Sequence, residues 1–193
     1  MKIAISSHLR ARRAGLPAQF ASTPWQRAFA LACAAILVLA VPQGPAAAEG
    51  TVMKFDHSAE PGTIVVRTGE RRLYLVLGSG KAIRYKVGVG RQGRQWIGKS
   101  VIDGKYIEPN WAPPAEIKRN RPNVPDLIPG GSPRNPLGAA AMTLSGGQYA
   151  IHGTNSPDSI GGFVSYGCIR MFNEDIIDLY DRVAIGSPVH VTP

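Results

Sequence analysis

Two residues of the chain have side chains that form a candidate pair of nucleophile and base: His152 and Cys168. A thiol attacks a carbonyl efficiently only after it loses its proton, and an imidazole within hydrogen-bond reach is the usual acceptor. The segment between the two residues contains Gly153, Gly161 and Gly162 among small polar residues. This composition is typical of a loop that folds back, so the sequence predicts that His152 and Cys168 meet in space.

Each of the two residues also has an ordinary structural interpretation. A lone cysteine is most often a small buried hydrophobic residue, and a lone histidine is most often a surface or hydrogen-bonded residue. The neighbours of Cys168 favour the catalytic interpretation instead. Gly167 allows close approach of a substrate, and the positive charge of Arg170 favours the thiolate.

Several separated segments resemble the L,D-transpeptidase catalytic domain, also called the YkuD domain. The resemblance covers nearly all of residues 60–192. At one position the chain departs from the pattern, because the family usually has His directly before the Gly-Cys pair and this chain has Tyr166. The matching segments are His152-Gly153-Thr154-Asn155, Ser165-Tyr166-Gly167-Cys168-Ile169-Arg170-Met171, Asn110-Trp111-Ala112-Pro113-Pro114 and Ile128-Pro129-Gly130-Gly131-Ser132-Pro133-Arg134-Asn135-Pro136-Leu137-Gly138.

The resemblance implies a mainly β fold, a mixed β-sandwich or barrel of the L,D-transpeptidase type with one or two short helices. It also implies a mechanism in which His152 takes the proton of Cys168 and the thiolate attacks a peptide carbonyl. The backbone N–H groups of Gly167 and Cys168 would stabilise the oxyanion, and a carbonyl at or near Gly153 would orient the imidazole ring. We expect no cofactor and no metal.

The substrate implied by the resemblance is a peptidoglycan tetrapeptide stem. D-alanine would leave, and the side-chain amine of a diaminopimelate residue would accept the acyl group. The acceptor is open, since another stem peptide, a lipoprotein lysine or a free D-amino acid would each supply an amine. The residues expected to contact the substrate are Asn155, Ser165, Tyr166 and Arg170.

Arg170 and Tyr166 each leave alternatives open. The Arg170 guanidinium would bind a stem carboxylate in a bidentate manner, or it would pair internally with an acid such as Asp158 or Asp175 and shape the loop. Tyr166 cannot act as a cation in the place of the usual His, but its phenol can donate a hydrogen bond.

Three functions are compatible with these residues. The first is transpeptidation in cell wall cross-linking or protein attachment. The second is hydrolysis through the same acyl-enzyme, as an L,D-carboxypeptidase or a hydrolase of cross-links or anchors. The third is a catalytically silent wall-binding module, in which Cys168→Ala has no consequence and a carbapenem adds no mass to Cys168.

The first 48 residues predict a signal peptide. A short apolar run, Ala28–Val41, is followed by a small-residue segment that ends at Ala48, a pattern typical of signal-peptidase cleavage. The run is shorter than the roughly 20 residues of a membrane span, so a retained anchor is the weaker alternative. We therefore expect export to the periplasm or cell envelope, a short extension at 49–61 and a catalytic domain at 62–193.

Charge and cysteine content agree with an exported wall enzyme. The net charge of +9 includes five basic residues before Glu49, which leaves a modest +4 for the remainder and no nucleic-acid motif. Cys33 lies in the leader, so Cys168 is the only cysteine of the mature chain and an internal disulfide is impossible. His57, His152 and His190 show no metal-ligand spacing.

Three short β-rich runs follow from residue 63, and their tight connections predict an antiparallel meander. In the third, apolar residues alternate with Arg84 and Lys86, as in a half-buried strand. A further strand, 148–151, should present His152 at its end. The three runs are Thr63–Val66, Arg72–Leu77 and Ala82–Val89.

The Gly- and Pro-rich segment 91–138 is predicted to be an ordered loop with a short helix after Pro114. Near the C-terminus, Asn173 is expected to cap a helix that continues to Gly186. Its acids, which include Asp175 and Asp178, are expected to serve the helix dipole and solvent rather than catalysis. Residues 188–191 are predicted to form an edge strand in which His190 is structural.

Overall fold

The computed structural model describes residues 50–146 and 149–193. The predicted signal peptide, with Cys33 and the cleavage site after Ala48, lies outside the described residues, as does Gln148 of the strand predicted before His152. The described strands are β1 (Thr51–Lys54), β2 (Ile64–Arg67), β3 (Arg72–Gly78), β4 (Lys81–Lys86), β5 (Val89–Gly90), β6 (Gly98–Ile107), β7 (Ala140–Leu144), β8 (Ala150–His152), β9 (Phe163–Ser165), β10 (Ile169–Arg170) and β11 (Pro188–Thr192). The described helices are α1 (Ala115–Asn120) and α2 (Asn173–Arg182), with a 3-10 turn at Pro157–Ser159.

Nine of the described strands form one sheet in the order β1-β4-β3-β2-β11-β6-β7-β8-β10, and β5 and β9 form a separate parallel pair. The predicted mainly β fold with two short helices is therefore confirmed. Both sheets are open. Neither described helix is long and apolar enough to cross a membrane.

The predicted meander is confirmed, because β2, β3 and β4 pair in antiparallel fashion. Alternation along β4 places Ile83 and Tyr85 in the main core and leaves Lys86 exposed. The core lies between this sheet and α2, whose Ile176 and Leu179 are fully buried. Apolar burial on this face is the main force that holds the meander against the rest of the domain.

The other face of the meander is also covered, which the alternating pattern did not predict. Val65, Tyr74, Val76 and Ala82 form a second buried cluster beneath Phe55. The Phe55 ring stacks on Tyr74 at 4.5 Å between centroids. Phe55 follows β1, which lies in the segment predicted as a short extension. Because β1 pairs with β4, residues 51–54 form part of the sheet.

The prediction of an edge strand at the C-terminus is wrong. β11 lies in the middle of the nine-stranded sheet, parallel to β2 and antiparallel to β6. Val189 and Val191 are buried, whereas His190 on the opposite side is only partly so. Pro188 is tolerated because it is the first residue of the strand, where a missing N–H costs little.

Helix α2 is present, but its first turn differs from the prediction. Phe172 occupies the N-cap position and Asn173 is the first helical residue. The Asn173 side chain makes no cap, because its carbonyl oxygen binds elsewhere. Asp175 is buried rather than solvated. Asp178 accepts hydrogen bonds from Tyr85 at 2.5 Å and from Arg182, away from the predicted catalytic pair.

The segment between β6 and β7 is ordered, as predicted, and contains the predicted helix after Pro114. Trp111 and Ile128 exchange two backbone hydrogen bonds of 2.8 Å that close the loop. Asn135, 1% exposed, donates to the carbonyls of Pro109 and Pro129 and accepts from the Leu137 N–H at 2.9 Å. One buried amide therefore substitutes for a regular ladder in a proline-rich segment.

Candidate active site

A short parallel strand pair brings the two predicted catalytic residues to the same edge. β8 ends at His152, and β10 begins directly after Cys168. Arg170 is in register with His152, so their side chains project on the same face, and Cys168, two residues earlier, alternates onto that face as well. His152 and Cys168 line one cleft.

The position of β10 is fixed from both sides by the backbone. Met171 N–H donates to His152 O at 2.8 Å on the β8 side. Arg170 and Gly88 exchange hydrogen bonds of 2.8 and 2.9 Å on the other. Because the strand that follows the thiol is held at both edges, its side chains have little freedom to move relative to His152.

The ring of His152 is buried, with 4% of its surface exposed, and its tautomer is determined by a neighbour. Nδ1 lies 2.6 Å from the carbonyl oxygen of Gly153. A carbonyl can only accept, so Nδ1 carries the proton of the neutral ring and Nε2 keeps a lone pair. Burial lowers the pKa of His152 to about 4, and the charge of Arg170 acts in the same direction.

Cys168 is half-buried. Burial raises the pKa of its thiol, although a hydrogen bond from the Ala150 backbone and the charge of Arg170 both act to lower it. The Arg170 charge lowers the pKa of the Cys168 thiol, as we expected, but burial raises this pKa by more. At neutral pH the thiol and the imidazole are therefore both uncharged.

Ser165 holds the turn before Cys168. Its hydroxyl donates to Cys168 O at 2.6 Å and accepts from the Gly167 N–H at 3.0 Å, and the residue is 2% exposed. These two hydrogen bonds give Ser165 a positioning role in the turn, and its predicted contact with a substrate stays a prediction. The Gly167 N–H, predicted to be an oxyanion donor, is already engaged, so that role requires it to be shared with Ser165.

An aromatic wall supports the same turn. Trp96 and Tyr149 stack at 5.2 Å with almost parallel rings, and Trp96 Nε1–H donates to Gly167 O at 3.0 Å. Gly167 has a φ of 126°, and a Cβ there would overlap the Tyr149 ring. Glycine at 167 is therefore required by both the backbone and the wall.

Sequence reasoning missed the residue that supports the His152 loop, Asn173. Its Oδ1 accepts from the N–H groups of Ala139 and Thr154 at 3.1 and 3.0 Å. A Cβ at either Gly138 or Gly153 would collide with this oxygen. The sequence does contain Gly138, Gly153 and the polar residue Asn173, but an asparagine at this position before a helix is equally typical of a helix cap. The sequence alone therefore did not indicate its contact with the two glycines.

Among the described residues, no ion pair joins Arg170 to Asp158, one of the two acids considered above. The Nε of Arg170 is buried and lacks a hydrogen bond among the described residues. The side chain lines two clefts, and the acid that lines either of them, Glu116, forms an ion pair with Arg94. This placement favours a ligand carboxylate as the partner of Arg170.

The two clefts that meet at Arg170 differ in composition. The first is about 350 Å³, and we call it the nucleophile cleft after the role predicted for Cys168. It includes Cys168 and His152 together with Trp111, Leu137 and Tyr149. The neighbouring cleft is about 760 Å³. Tyr166 lines both, whereas Asn155 lines the second and not the first. No cluster of acidic, His or Cys residues within 50–146 and 149–193 could hold a metal ion.

Comparison with known protein families shows which family the chain belongs to. A family model described as the L,D-transpeptidase catalytic domain, YkuD, matches residues 61–191. The chain belongs to this family. Over 137 residues it is 36% identical to the probable L,D-transpeptidase ErfK/SrfK of Escherichia coli strain K12, a match that covers 66% of this chain and 43% of the relative.

Other L,D-transpeptidases agree with this assignment. The putative L,D-transpeptidase YqjB of Bacillus subtilis strain 168 is 47% identical over 70 residues, which cover 34% of this chain and 40% of the relative. The chain thus spans less than half the length of both relatives.

Solved L,D-transpeptidases share the fold. The enzyme from Mycobacterium smegmatis superposes with a TM-score of 0.54 at 18% identity, covering 68% of this chain and 58% of that one. LD transpeptidase LdtMt1, in complex with imipenem, gives 0.52 at 17% identity, covering 67% and 58%. At these identities the likeness concerns the fold alone, and it confirms the predicted fold type.

Proposed function

We propose that this protein is a peptidoglycan L,D-transpeptidase that works through a thioester on Cys168. The observation that carries the proposal is the state of His152, whose Nδ1 binds Gly153 O and whose Nε2 keeps its lone pair beside the cleft that Cys168 lines. A buried neutral imidazole of this kind is a general base for a thiol that does not ionise by itself.

The first half of the reaction releases an amine. As Sγ of Cys168 attacks the carbonyl of the stem peptide, its proton passes to Nε2 of His152. The Cys168 N–H donates to the oxyanion, and the Gly167 N–H is shared between the oxyanion and Ser165. The carbon–nitrogen bond then breaks, His152 returns the proton to the leaving D-alanine, and the acyl group remains on sulfur.

The second half regenerates the enzyme. An incoming amine loses a proton to His152 and attacks the thioester carbonyl, the carbon–sulfur bond breaks, and the proton returns to Sγ. Arg170 would hold the carboxylate adjacent to the reacting nitrogen, because its buried Nε lacks a partner and guanidinium binds carboxylate with two parallel hydrogen bonds.

The setting of the reaction is part of the proposal. The apolar run at 28–41 and the small-residue segment that ends at Ala48 support export to the periplasm or cell envelope. The donor would be a tetrapeptide stem, and the acceptor a second stem or the lysine of a wall-anchored lipoprotein.

Intact-mass analysis tests the acyl-enzyme directly. The purified protein is incubated with a carbapenem and, separately, with a tetrapeptide stem, and we expect an adduct on Cys168 in both cases. Cys168→Ala should gain no mass, and His152→Gln should acylate more slowly by about two to four orders of magnitude. Absence of an adduct on the unaltered protein would refute an acyl-enzyme mechanism and leave a wall-binding module.

Product analysis distinguishes transfer from hydrolysis. With tetrapeptide-bearing wall fragments, transfer yields cross-linked dimers, whereas hydrolysis yields trimmed monomers alone. We expect dimers, and their absence in a reaction that still releases D-alanine would assign the protein to the hydrolases instead.

A further inference from the structure

The second of the two clefts is surrounded by guanidinium groups. Arg91, Arg121, Arg134 and Arg170 all line it, and we call it the arginine cleft. None of the described residues that line it is acidic. It measures about 760 Å³ and borders the nucleophile cleft at Arg170 and Tyr166.

The guanidinium groups of the arginine cleft have no carboxylate partner in the part of the chain that the structure describes, unlike three other arginines of the domain. Arg67, Arg94 and Arg182 each form an ion pair with a carboxylate. None of the four arginines of the cleft forms an ion pair with another described residue. Arg91 lies over the Tyr166 ring, 4.0 Å from its centroid, which fixes the guanidinium without neutralising it.

Their proximity carries an energetic cost that an anion would remove. Burial lowers the pKa of Arg170, and the charge of Arg121 lowers it further. The pKa of the Tyr166 hydroxyl is lowered by its hydrogen bond with Asn120 and by the charges of Arg91 and Arg121. Like charges gathered around a concave surface focus a positive potential that attracts a polyanionic ligand.

We propose that the arginine cleft is the acceptor subsite, which recognises an amine carried on a peptide with several carboxylates. Arg170 binds the carboxylate next to the attacking nitrogen, and Arg91, Arg121 and Arg134 bind carboxylates farther along the same peptide. This inference rests on the proposed function, since it assigns one substrate of that reaction to a particular surface.

The chemistry favours an acceptor over a donor in this position. The leaving and incoming nitrogens exchange a proton with the same His152, so both must lie beside it. In the leaving D-alanine and in a diaminopimelate acceptor, the reacting nitrogen is on the carbon that bears a carboxylate. Arg170 serves both, but D-alanine ends there, whereas the acceptor peptide continues into the larger cleft.

The same charges prepare the acceptor for attack. An ammonium cannot attack the thioester, and nearby cations lower the pKa of an amine by disfavouring its charged form. The carboxylates of the peptide provide the attraction that brings an amine into this positive region. Water and a free D-amino acid carry too little negative charge to exploit the outer arginines.

Binding can be measured without turnover. In Cys168→Ala protein, calorimetric titration with a stem tripeptide, which has an acceptor amine but no D-alanine to release, should show an affinity that falls about three- to tenfold in Arg121→Gln and in Arg134→Gln. A tripeptide with amidated carboxylates should bind weakly and equally to all variants. Arg119→Gln is the matched control, because Arg119 is an exposed residue of α1 that does not line the cleft.

Turnover supplies the second readout. In protein that keeps Cys168, Arg121→Gln and Arg134→Gln should raise the KM for the acceptor peptide by a similar factor. The rate of donor acylation in a single turnover without acceptor should match that of Arg119→Gln protein. Variants that match Arg119→Gln in tripeptide binding would overturn the proposal, and so would an equal loss in donor acylation. Failure of the proposed function has a different signature: the unaltered protein would form no adduct on Cys168, whatever the tripeptide titrations show.

Discussion

The two clefts that meet at Arg170 are built in opposite ways. In the nucleophile cleft, His152 is oriented by a buried backbone contact, and Ser165 binds the turn before Cys168 with two hydrogen bonds. In the arginine cleft, Arg121 and Arg134 are exposed side chains without an ionic partner among the described residues. The first controls position, and the second contributes charge.

The difference corresponds to what each task requires. Bond making depends on fractions of an ångström, so the groups that perform it must be fixed by packing and hydrogen bonds before the substrate arrives. Attraction of a charged peptide depends on summed potential, which tolerates mobile side chains. We therefore expect substitutions around the nucleophile cleft to have larger effects than substitutions of single exposed arginines.

Among the residues that shape the clefts without taking part in the proposed reaction, Gly167→Ala should have the largest effect. The added methyl group would overlap the Tyr149 ring in a backbone conformation that disfavours side chains, so the Cys168 turn must move. We expect carbapenem acylation to slow by about a hundredfold or more, measured by mass spectrometry over time. Gly186→Ala is the control, since Gly186 also has a positive φ but its Cβ would meet no atom. Equal rates in the two variants would show that the turn is not rigid.

Asn173→Ala should give the next largest effect. It leaves the N–H groups of Ala139 and Thr154 without their acceptor, at a cost of about 1 to 3 kcal/mol in the free energy of unfolding measured with urea. Because the Thr154 N–H anchors the loop after His152, acylation should slow by roughly tenfold. Asn155→Ala, which removes one long contact of 3.4 Å to Pro133 O, should leave stability nearly unchanged. A stable Asn173→Ala protein would contradict this account.

Residue types predicted that His152 and Cys168 lie together, as they do in one cleft, and spacing predicted the meander. A thiol, an imidazole and the glycine beside each can be recognised directly in the sequence. The alternation of Ile83 and Tyr85 with Arg84 and Lys86 also predicts a strand by its period alone. These predictions depend on local chemistry, which a single segment contains in full.

Features that depend on distant segments were not predictable in this way. Val189 and Val191 alternate with polar residues equally well in an edge strand and in the central position that β11 occupies. Asn173 beside acidic residues fits a helix cap, and only the fold brings Ala139 and Thr154 to its oxygen. The arginine cleft likewise combines residues of several loops, so no local pattern indicates it.

The pH dependence of acylation should distinguish a neutral pair from a preformed ion pair. Burial lowers the pKa of His152 to about 4 and raises the pKa of Cys168. His152 is therefore an unprotonated base above about pH 4, and the rate of adduct formation should stay constant through the mildly acidic range and fall only as the imidazolium forms. An acid limb with a midpoint near 6.5, the ordinary value for His, would contradict the buried neutral pair.

Tyr166→Phe should have the smallest effect of the series, although Tyr166 lines both clefts. The substitution keeps the ring under Arg91 and removes only a hydroxyl whose hydrogen bond with Asn120 is long, at 3.4 Å. We expect carbapenem acylation within about a factor of two of the unaltered protein, since a contact of this length at an accessible position contributes little. Tyr166→Ala provides the contrast: without the ring, Arg91 loses its support, so transfer to a stem peptide should weaken more than acylation does. A large loss of acylation in Tyr166→Phe would mean that the phenol acts on the reacting carbonyl. Tyr166 would then belong with the residues that position the reacting groups rather than with the arginines that contribute charge.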